Sequence, residues 1–485
     1  MSLHSQRTSR LTFAILILIA AATQTASADW RDDIGYTQLT NELGVATPTG
    51  AGVAVSMAEA PDASARYLPN TSGTNFTGKT VTNETASSTG FNSHASGVAG
   101  LFFGNTTSVA PGVTSVAAFE ANSWINDALG LTTTTAPVAH PYSVQNHSWI
   151  ANGTTAEIPE VIDAAKRVDY LANRDNVLII GGANNGSTSS VPHLLAHSYN
   201  AINVGITNVE RTVGNHSQGN TTLAGYGPGR PRPDIVAQAG VTSSSTPMVS
   251  SAAALLYEVA GSSNANNVEA MRAVLMAGAT KDQFADWDRT ATRPIDETFG
   301  AGELNVYNSY KILEGGEYNG TVIAPTSSVG LFGYDFNEPV SMSSSFLYQF
   351  DVPSGQVMDE LSIFLQWSMD VVNASTIPME FIPSTDPLLG GGLANLDLHF
   401  YDSNNSLVDQ SISSVDNFEH IYLTGLSAGT YTLEVSGDRA TEYGLAWRSS
   451  VSAVAVPEPS TFVTLAIFGG GLALRFRRRY HGRRA

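Results

Sequence analysis

The chain has 485 residues, 42% of them hydrophobic, and a formal net charge of −19 at pH 7. That length allows two or more cores, and the apolar share excludes broad disorder. The acidity argues against nucleic acid as a partner, and with no cysteine the chain has no disulfides and no thiol or Cys-metal chemistry.

In chain order, residues 1–28 read as a secretory signal peptide. Arg7 and Arg10 precede the apolar run Leu11–Ala22, and Ala26-Ser27-Ala28 fits the small-x-small cleavage rule, making Asp29 the first mature residue. An uncleaved anchor is the alternative, but the run is short against the about 20 residues a membrane span needs. From 29 to 315, buried-strand patterns alternate with helical ones. Val177–Ile180 and Ala201–Gly205 read as strands, and Ser250–Val259 as a buried helix. The expectation is an α/β layer fold with a parallel sheet flanked by helices.

From 318 to 450 the pattern becomes strand-like. Phe346–Val352, Leu361–Trp367, Leu396–Tyr401, Ile421–Leu423 and Tyr431–Val435 alternate apolar and polar residues. Turn sequences such as Asp402-Ser403-Asn404-Asn405 and Ser427-Ala428-Gly429 separate some of them, which predicts an all-β sandwich. Residues 456–485 hold Val456-Pro457-Glu458-Pro459-Ser460, the apolar stretch Phe462–Leu474, and Arg475, Arg477, Arg478 and Arg479. A marginal apolar span capped by arginines stops translocation with its positive end inside.

Three separated segments carry candidate chemistry: Gly52 to Glu59, His94-Ala95-Ser96-Gly97-Val98-Ala99-Gly100, and Thr242-Ser243-Ser244-Ser245-Thr246-Pro247. An acid, a histidine and a serine are the parts of a nucleophilic hydrolase. Taken singly, Ser243 reads equally as a helix N-cap, and the turn Asn184-Asn185-Gly186 as ordinary turn chemistry. Asp62, just past the strand end, is a rival to Glu59 as the acid.

Together these segments resemble the catalytic landmarks of subtilisin-like serine proteases, and the likeness runs from Gly50 to Val306 in the family's order. It implies a subtilisin-like fold and a secreted endopeptidase with Glu59, His94 and Ser243 as its triad. Asn184, after Gly181-Gly182-Ala183, stands where the family has its side-chain oxyanion donor. Ser148, Trp149 and Ile150, with Gly181 and Gly182, stand where the family lines its substrate cleft. Five positions depart from the pattern: Glu59 for aspartate, Gly97 for the second histidine, Ile150 for glycine, Val241 for glycine and Met248 for histidine. Those at Glu59, Gly97, Val241 and Met248 support the alternative of a catalytically degenerate surface or matrix binding protein. The family often binds calcium, but no ligand loop is identifiable and no cofactor is evident. The segment 318–450 resembles the bacterial pre-peptidase C-terminal domain. The tail resembles a PEP-CTERM sorting signal, which implies an exosortase-type enzyme and signal peptidase as partners beside a protein or peptide substrate. The implied location is the envelope, surface or exterior of a Gram-negative-type bacterium.

Overall fold

The computed structural model describes residues 29–454 apart from 86–89, 132, 152–157, 190, 192–193, 221–225, 228 and 339–343. The signal peptide expected at 1–28 and the sorting tail expected at 456–485 lie outside the described residues.

Two short helices, α1 (Trp30–Asp33) and α2 (Tyr36–Leu43), lead into the first sheet strand, β1 (Val55–Glu59). Then follow β2 (Thr80–Asn83), α3 (Ser93–Phe103), β3 (Ser115–Glu120), α4 (Ala121–Ser123), β4 (Val144–His147), α5 (Ile158–Asp175), β5 (Leu178–Gly182) and β6 (Ala201–Thr207). A two-stranded ribbon, β7 (Gly219–Asn220) and β8 (Pro231–Arg232), precedes β9 (Ile235–Gln238) and the helices α6 (Thr242–Ala260), α7 (Val268–Gly278) and α8 (Val306–Gly315). Seven strands form one parallel sheet in the order β2-β3-β1-β4-β5-β6-β9. Parallel strands need crossover helices, which cover both faces, so β1, β5 and β6 are buried at every residue. This is the α/β layer fold that the alternating pattern predicts.

Helix α6 is the centre of the main core. It packs on α3 and on β4, β5, β6 and β9, and Val249 and Ala252 to Leu256 are fully enclosed. Ser250 donates to Asn146 Oδ1 at 2.9 Å, which ties the helix to β4. Near its C-terminal end Glu258 accepts the backbone N–H groups of Gly50 and Ala51, at 2.6 and 3.1 Å, and so fixes the entry to β1.

Regular structure in the rest of the described chain is strand apart from one helical turn at Pro387–Leu389, as the alternation predicts, but six strands form a single antiparallel sheet where a two-sheet sandwich is expected. The strands are β10 (Phe332–Asn337), β11 (Phe346–Trp367), β12 (Val372–Asn373), β13 (Pro383–Ser384), β14 (Leu396–Tyr401), β15 (Leu407–Ser411), β16 (Phe418–Gly437) and β17 (Tyr443–Ala453). Six of them make one antiparallel sheet, ordered β10-β17-β11-β16-β14-β15. The two strands expected within 346–367 are a single strand with a register shift between Val352 and Val357, and the two expected within 418–437 also join into one. A bulge lets a long strand bend without breaking, so the turn-like Pro353-Ser354-Gly355 does not end it. Both halves of β11 send side chains into one core, with Tyr348 and Phe350 meeting Leu361, Ile363, Leu365 and Trp367. The sheet therefore curls around its own apolar face.

Its other face is covered by the first region. Phe364, Phe418 and Ala446 belong to the same buried cluster as α6 and α7, and every residue of α7 is buried. Arg448 donates to the Ala277 and Ala279 carbonyls at 2.9 and 3.1 Å while its other nitrogen pairs with Glu360. Among the described residues no helix is long and apolar enough to cross a membrane.

Candidate active site

In a parallel sheet the strand ends and the helix starts meet along one edge, where ligands bind. Glu59 is the last residue of β1 and His94 lies in the first turn of α3. Asn92 caps α3 by accepting the His94 N–H at 2.7 Å, and this fixes where the imidazole leaves the helix. Ala95, Val98 and Ala99 seat the helix in the core. Gly97 does not share in that packing, for it is exposed and a Cβ there would meet open space. The small residue at 97 is therefore no packing requirement.

Glu59 Oε2 and His94 Nδ1 are 2.8 Å apart across 35 residues of sequence. The carboxyl side chain is 2% exposed and the imidazole 48%. Burial pushes the Glu59 carboxyl above its usual value, against the opposing pull of His94. The hydrogen bond to Glu59 raises the imidazole, against the opposing effect of desolvation. An Nδ1–H donated to Glu59 leaves Nε2 as the free, basic nitrogen. Asp62, the rival acid, instead folds its own turn. It accepts the N–H groups of Ser64 and Arg66 at 2.8 and 3.0 Å and pairs with the Arg66 side chain, which lowers its pKa.

Ser243 stands half-buried in the first turn of α6. The helix starts at Thr242, eight residues before the sequence pattern becomes helical at Ser250. Its first turn is stitched by side chains, with the Ser245 and Thr246 hydroxyls donating to the Thr242 carbonyl at 3.1 and 2.7 Å. Among the described residues, neither His94 Nε2 nor Ser243 Oγ has a hydrogen-bond partner. Hydrogen bonds of this kind are often long without substrate and tighten on binding.

The loop after β5 is held from outside. Asn184 exchanges bonds with Ser217, its N–H donating to Ser217 Oγ at 2.9 Å and its carbonyl accepting the Ser217 N–H at 2.7 Å. Beside Ser217, His216 accepts the Ile206 N–H on Nδ1 at 3.0 Å and donates from Nε2 to the Thr298 carbonyl at 2.9 Å. Burial pushes this imidazole down to about 4, so it stays neutral. The clamp leaves the Asn184 side chain without a partner among the described residues, whereas Asn185 Oδ1 accepts from Thr242. Sequence reading did not single out Asn185, His216, Ser217 or Glu258, because none has a distinctive local pattern.

The residues expected to line a substrate cleft divide. Ile150 is exposed at 37%, while Ser148 and Trp149 are buried. Trp149 packs edge-on against Trp124 and His147. Gly181 and Gly182 are buried in β5, and a Cβ on them would meet Leu195 at 3.1 Å and Thr246 Oγ1 at 2.8 Å. Their smallness lets Leu195 and the first turn of α6 come close to the strand. Among the described residues no cluster of three or more acidic or histidine groups is placed to hold a metal ion.

A family model described as "Subtilase family" matches residues 51–302. Among solved structures, the chain is similar to a cold-adapted subtilisin-like serine proteinase, with 18% identity over 53% of this chain and 88% of that one, at a TM-score of 0.36. It is also similar to MycP1 from Mycobacterium smegmatis, with 15% identity over 64% of this chain and 88% of that one, at a TM-score of 0.40. A third likeness is to Pseudomonas sedolisin, a serine-carboxyl proteinase, at 12% identity over 55% of this chain and 94% of that one, with a TM-score of 0.36. A search of curated proteins returned no match.

Proposed function

Since the chain belongs to the subtilase family, we propose that it is a secreted serine endopeptidase working through Glu59, His94 and Ser243. The observation that carries this reading is the 2.8 Å bond between a buried Glu59 and His94 in the first turn of α3; α6, which packs on α3, carries Ser243 in its own first turn. Ser243 Oγ attacks the peptide carbonyl, and His94 Nε2 takes its proton and passes it to the leaving amine. Glu59 holds the tautomer and balances the imidazolium. The oxyanion is met by the Asn184 amide and the Ser243 N–H.

The export features belong to the same proposal. Signal peptidase would cut after Ala28, and an exosortase-type enzyme would remove the arginine tail, leaving the protein at the envelope, surface or exterior. The curled sheet would serve as a pre-peptidase C-terminal-type module. A second reading, a degenerate binding protein on the same fold, is favoured by the unpartnered His94 Nε2 and Ser243 Oγ. A fluorophosphonate probe separates the two. Labelling of wild type that disappears in Ser243→Ala but persists in Ser244→Ala and Ser245→Ala supports the endopeptidase. Wild type that neither labels nor cleaves any peptide in a library supports the binding protein.

A further inference from the structure

The first turn of α6 distributes its backbone donors unusually. A helix start leaves its first N–H groups without intrahelical partners, and an N-cap side chain ordinarily accepts from the second or third of them. Here the N-cap is Val241, at φ −148° and ψ 151°, which has no acceptor to offer. The Val241 carbonyl takes the N–H groups of Ser244 and Ser245, at 3.0 and 3.3 Å. The Thr242 N–H goes 2.8 Å to Asn185 Oδ1, which also accepts the Thr242 hydroxyl at 3.1 Å. That leaves Ser243 with the one N–H of this turn that has no partner among the described residues.

We propose that Asn185 is a positioning residue that caps the nucleophile's helix from 57 residues away, and that Val241 keeps the Ser243 N–H open for the oxyanion. The two halves of this device depend on each other. A serine, threonine or aspartate at 241 would be the better local cap, but it would accept from Ser243 or Ser244 and compete with the substrate oxygen. Asn185 reaches only the Thr242 groups, so it closes the helix end without occupying the catalytic donor. It also adjoins Asn184 on a loop clamped at Ser217 and bridged at His216. One short link therefore sets the separation between the two oxyanion donors, the Asn184 amide and the Ser243 N–H. The role rests on the endopeptidase reading above.

The test uses the full chain with substitutions Asn185→Ala, Asn185→Asp, Val241→Ser and Val241→Ala. The readouts are the rate of fluorophosphonate labelling, kcat and KM on a peptide, thermal melting, and hydrogen exchange of the peptide spanning Thr242. Loss of a cap should slow labelling and kcat about tenfold in Asn185→Ala, with KM little changed, and speed exchange at Thr242 by a similar factor. Asn185→Asp keeps the acceptor and should restore the slow exchange. Val241→Ser should melt higher than Val241→Ala yet label more slowly, because only the hydroxyl competes for the Ser243 N–H. Equal labelling by Val241→Ser and Val241→Ala, or unchanged exchange in Asn185→Ala, overturns the inference and leaves the endopeptidase reading standing. Wild type that never labels at Ser243 defeats the endopeptidase reading and the catalytic half of the inference with it. The exchange data then judge the cap alone.

Discussion

Replacing Glu59 by glutamine tests the site at its least usual member. The side chain keeps its size and enters the same buried place, so the fold should survive. Two orientations are open to the new amide. If its NH2 faces His94, Nδ1 must accept, the proton moves to Nε2, and the imidazole cannot take the serine proton. A comparable acid-to-amide change that traps the wrong tautomer costs about 10⁴ in kcat, or roughly 5.5 kcal/mol. If instead the amide oxygen faces His94, the tautomer is right but the developing imidazolium loses its counter-charge. Two unit charges about 4 Å apart attract by about 4 kcal/mol at an effective dielectric of 20, which is about 10³ in rate. The imidazole is 48% exposed, so solvent screens part of that attraction. The expected loss is about 10²–10⁴ in kcat, measured on a peptide substrate with circular dichroism as the folding control. Glu59→Asp should retain more, since the charge survives although the 2.8 Å contact must open. The acidic limb of kcat/KM moves too. The reactive form is the neutral imidazole and Glu59 raises its pKa, so wild-type activity should rise with pH through a midpoint above the usual 6.5. That midpoint should fall in Glu59→Gln. A folded Glu59→Gln protein within about tenfold of wild type, beside an inactive Asp62→Asn protein, would refute the assignment.

Two further outcomes follow from other parts of the structure. Asn184→Ala should lower kcat by about 10²–10³ with little change in KM, the range found for a side-chain oxyanion donor in the related subtilisin; an effect confined to KM would make Asn184 a binding residue instead. Gly444→Ala places a Cβ 2.4 Å from the Ala270 nitrogen and the Glu269 carbonyl, where β17 lies against α7. It should lower the unfolding free energy by about 1–3 kcal/mol in denaturant melts, and unchanged stability would show that the interface yields at that point.

The pairing of Glu59 with His94 was legible because each residue is marked by its type and its flanks, and the end of β1 and the start of α3 bring the two within 2.8 Å. The start of α6 was legible only in part. Ser243 reads as a helix N-cap, yet Val241 holds that position and the helix already begins at Thr242, where enclosure against the sheet overrides the poor helix propensity of Thr242 to Pro247. The resemblance singles out Asn184, but nothing in the sequence marks its neighbour Asn185. Both are asparagines in one turn, and only the clamp at Ser217 and the reach of Asn185 to Thr242 give them different tasks. In the second half, Pro353-Ser354-Gly355 and Ser427-Ala428-Gly429 carry turn chemistry, yet the long strands pass through both because they bend together along a shared edge.

The boundary near residue 316 divides the chain by pattern, not by energy. Helix α7 shows why. It carries Glu269 and Arg272 on a face that would be solvated if the first region stood alone, yet both are buried. Their partner is Ser368, just past the end of β11, which donates to Glu269 and accepts from Arg272 at 2.8 Å. Lys281, also fully enclosed, donates to the Ala279 carbonyl at 2.8 Å and to Ser362 at 3.1 Å, so it too draws on both regions. Burial drives its ammonium well below the usual range. Polar groups buried in this way cost free energy unless they are paired, and here the second sheet supplies part of that pairing, although Arg272 Nη1 keeps no partner among the described residues. Removing that sheet would expose α7 and strip Glu269 and Arg272 of Ser368 and Lys281 of Ser362. Helix α7 packs against α6, so the antiparallel sheet shares in holding the helix that carries Ser243.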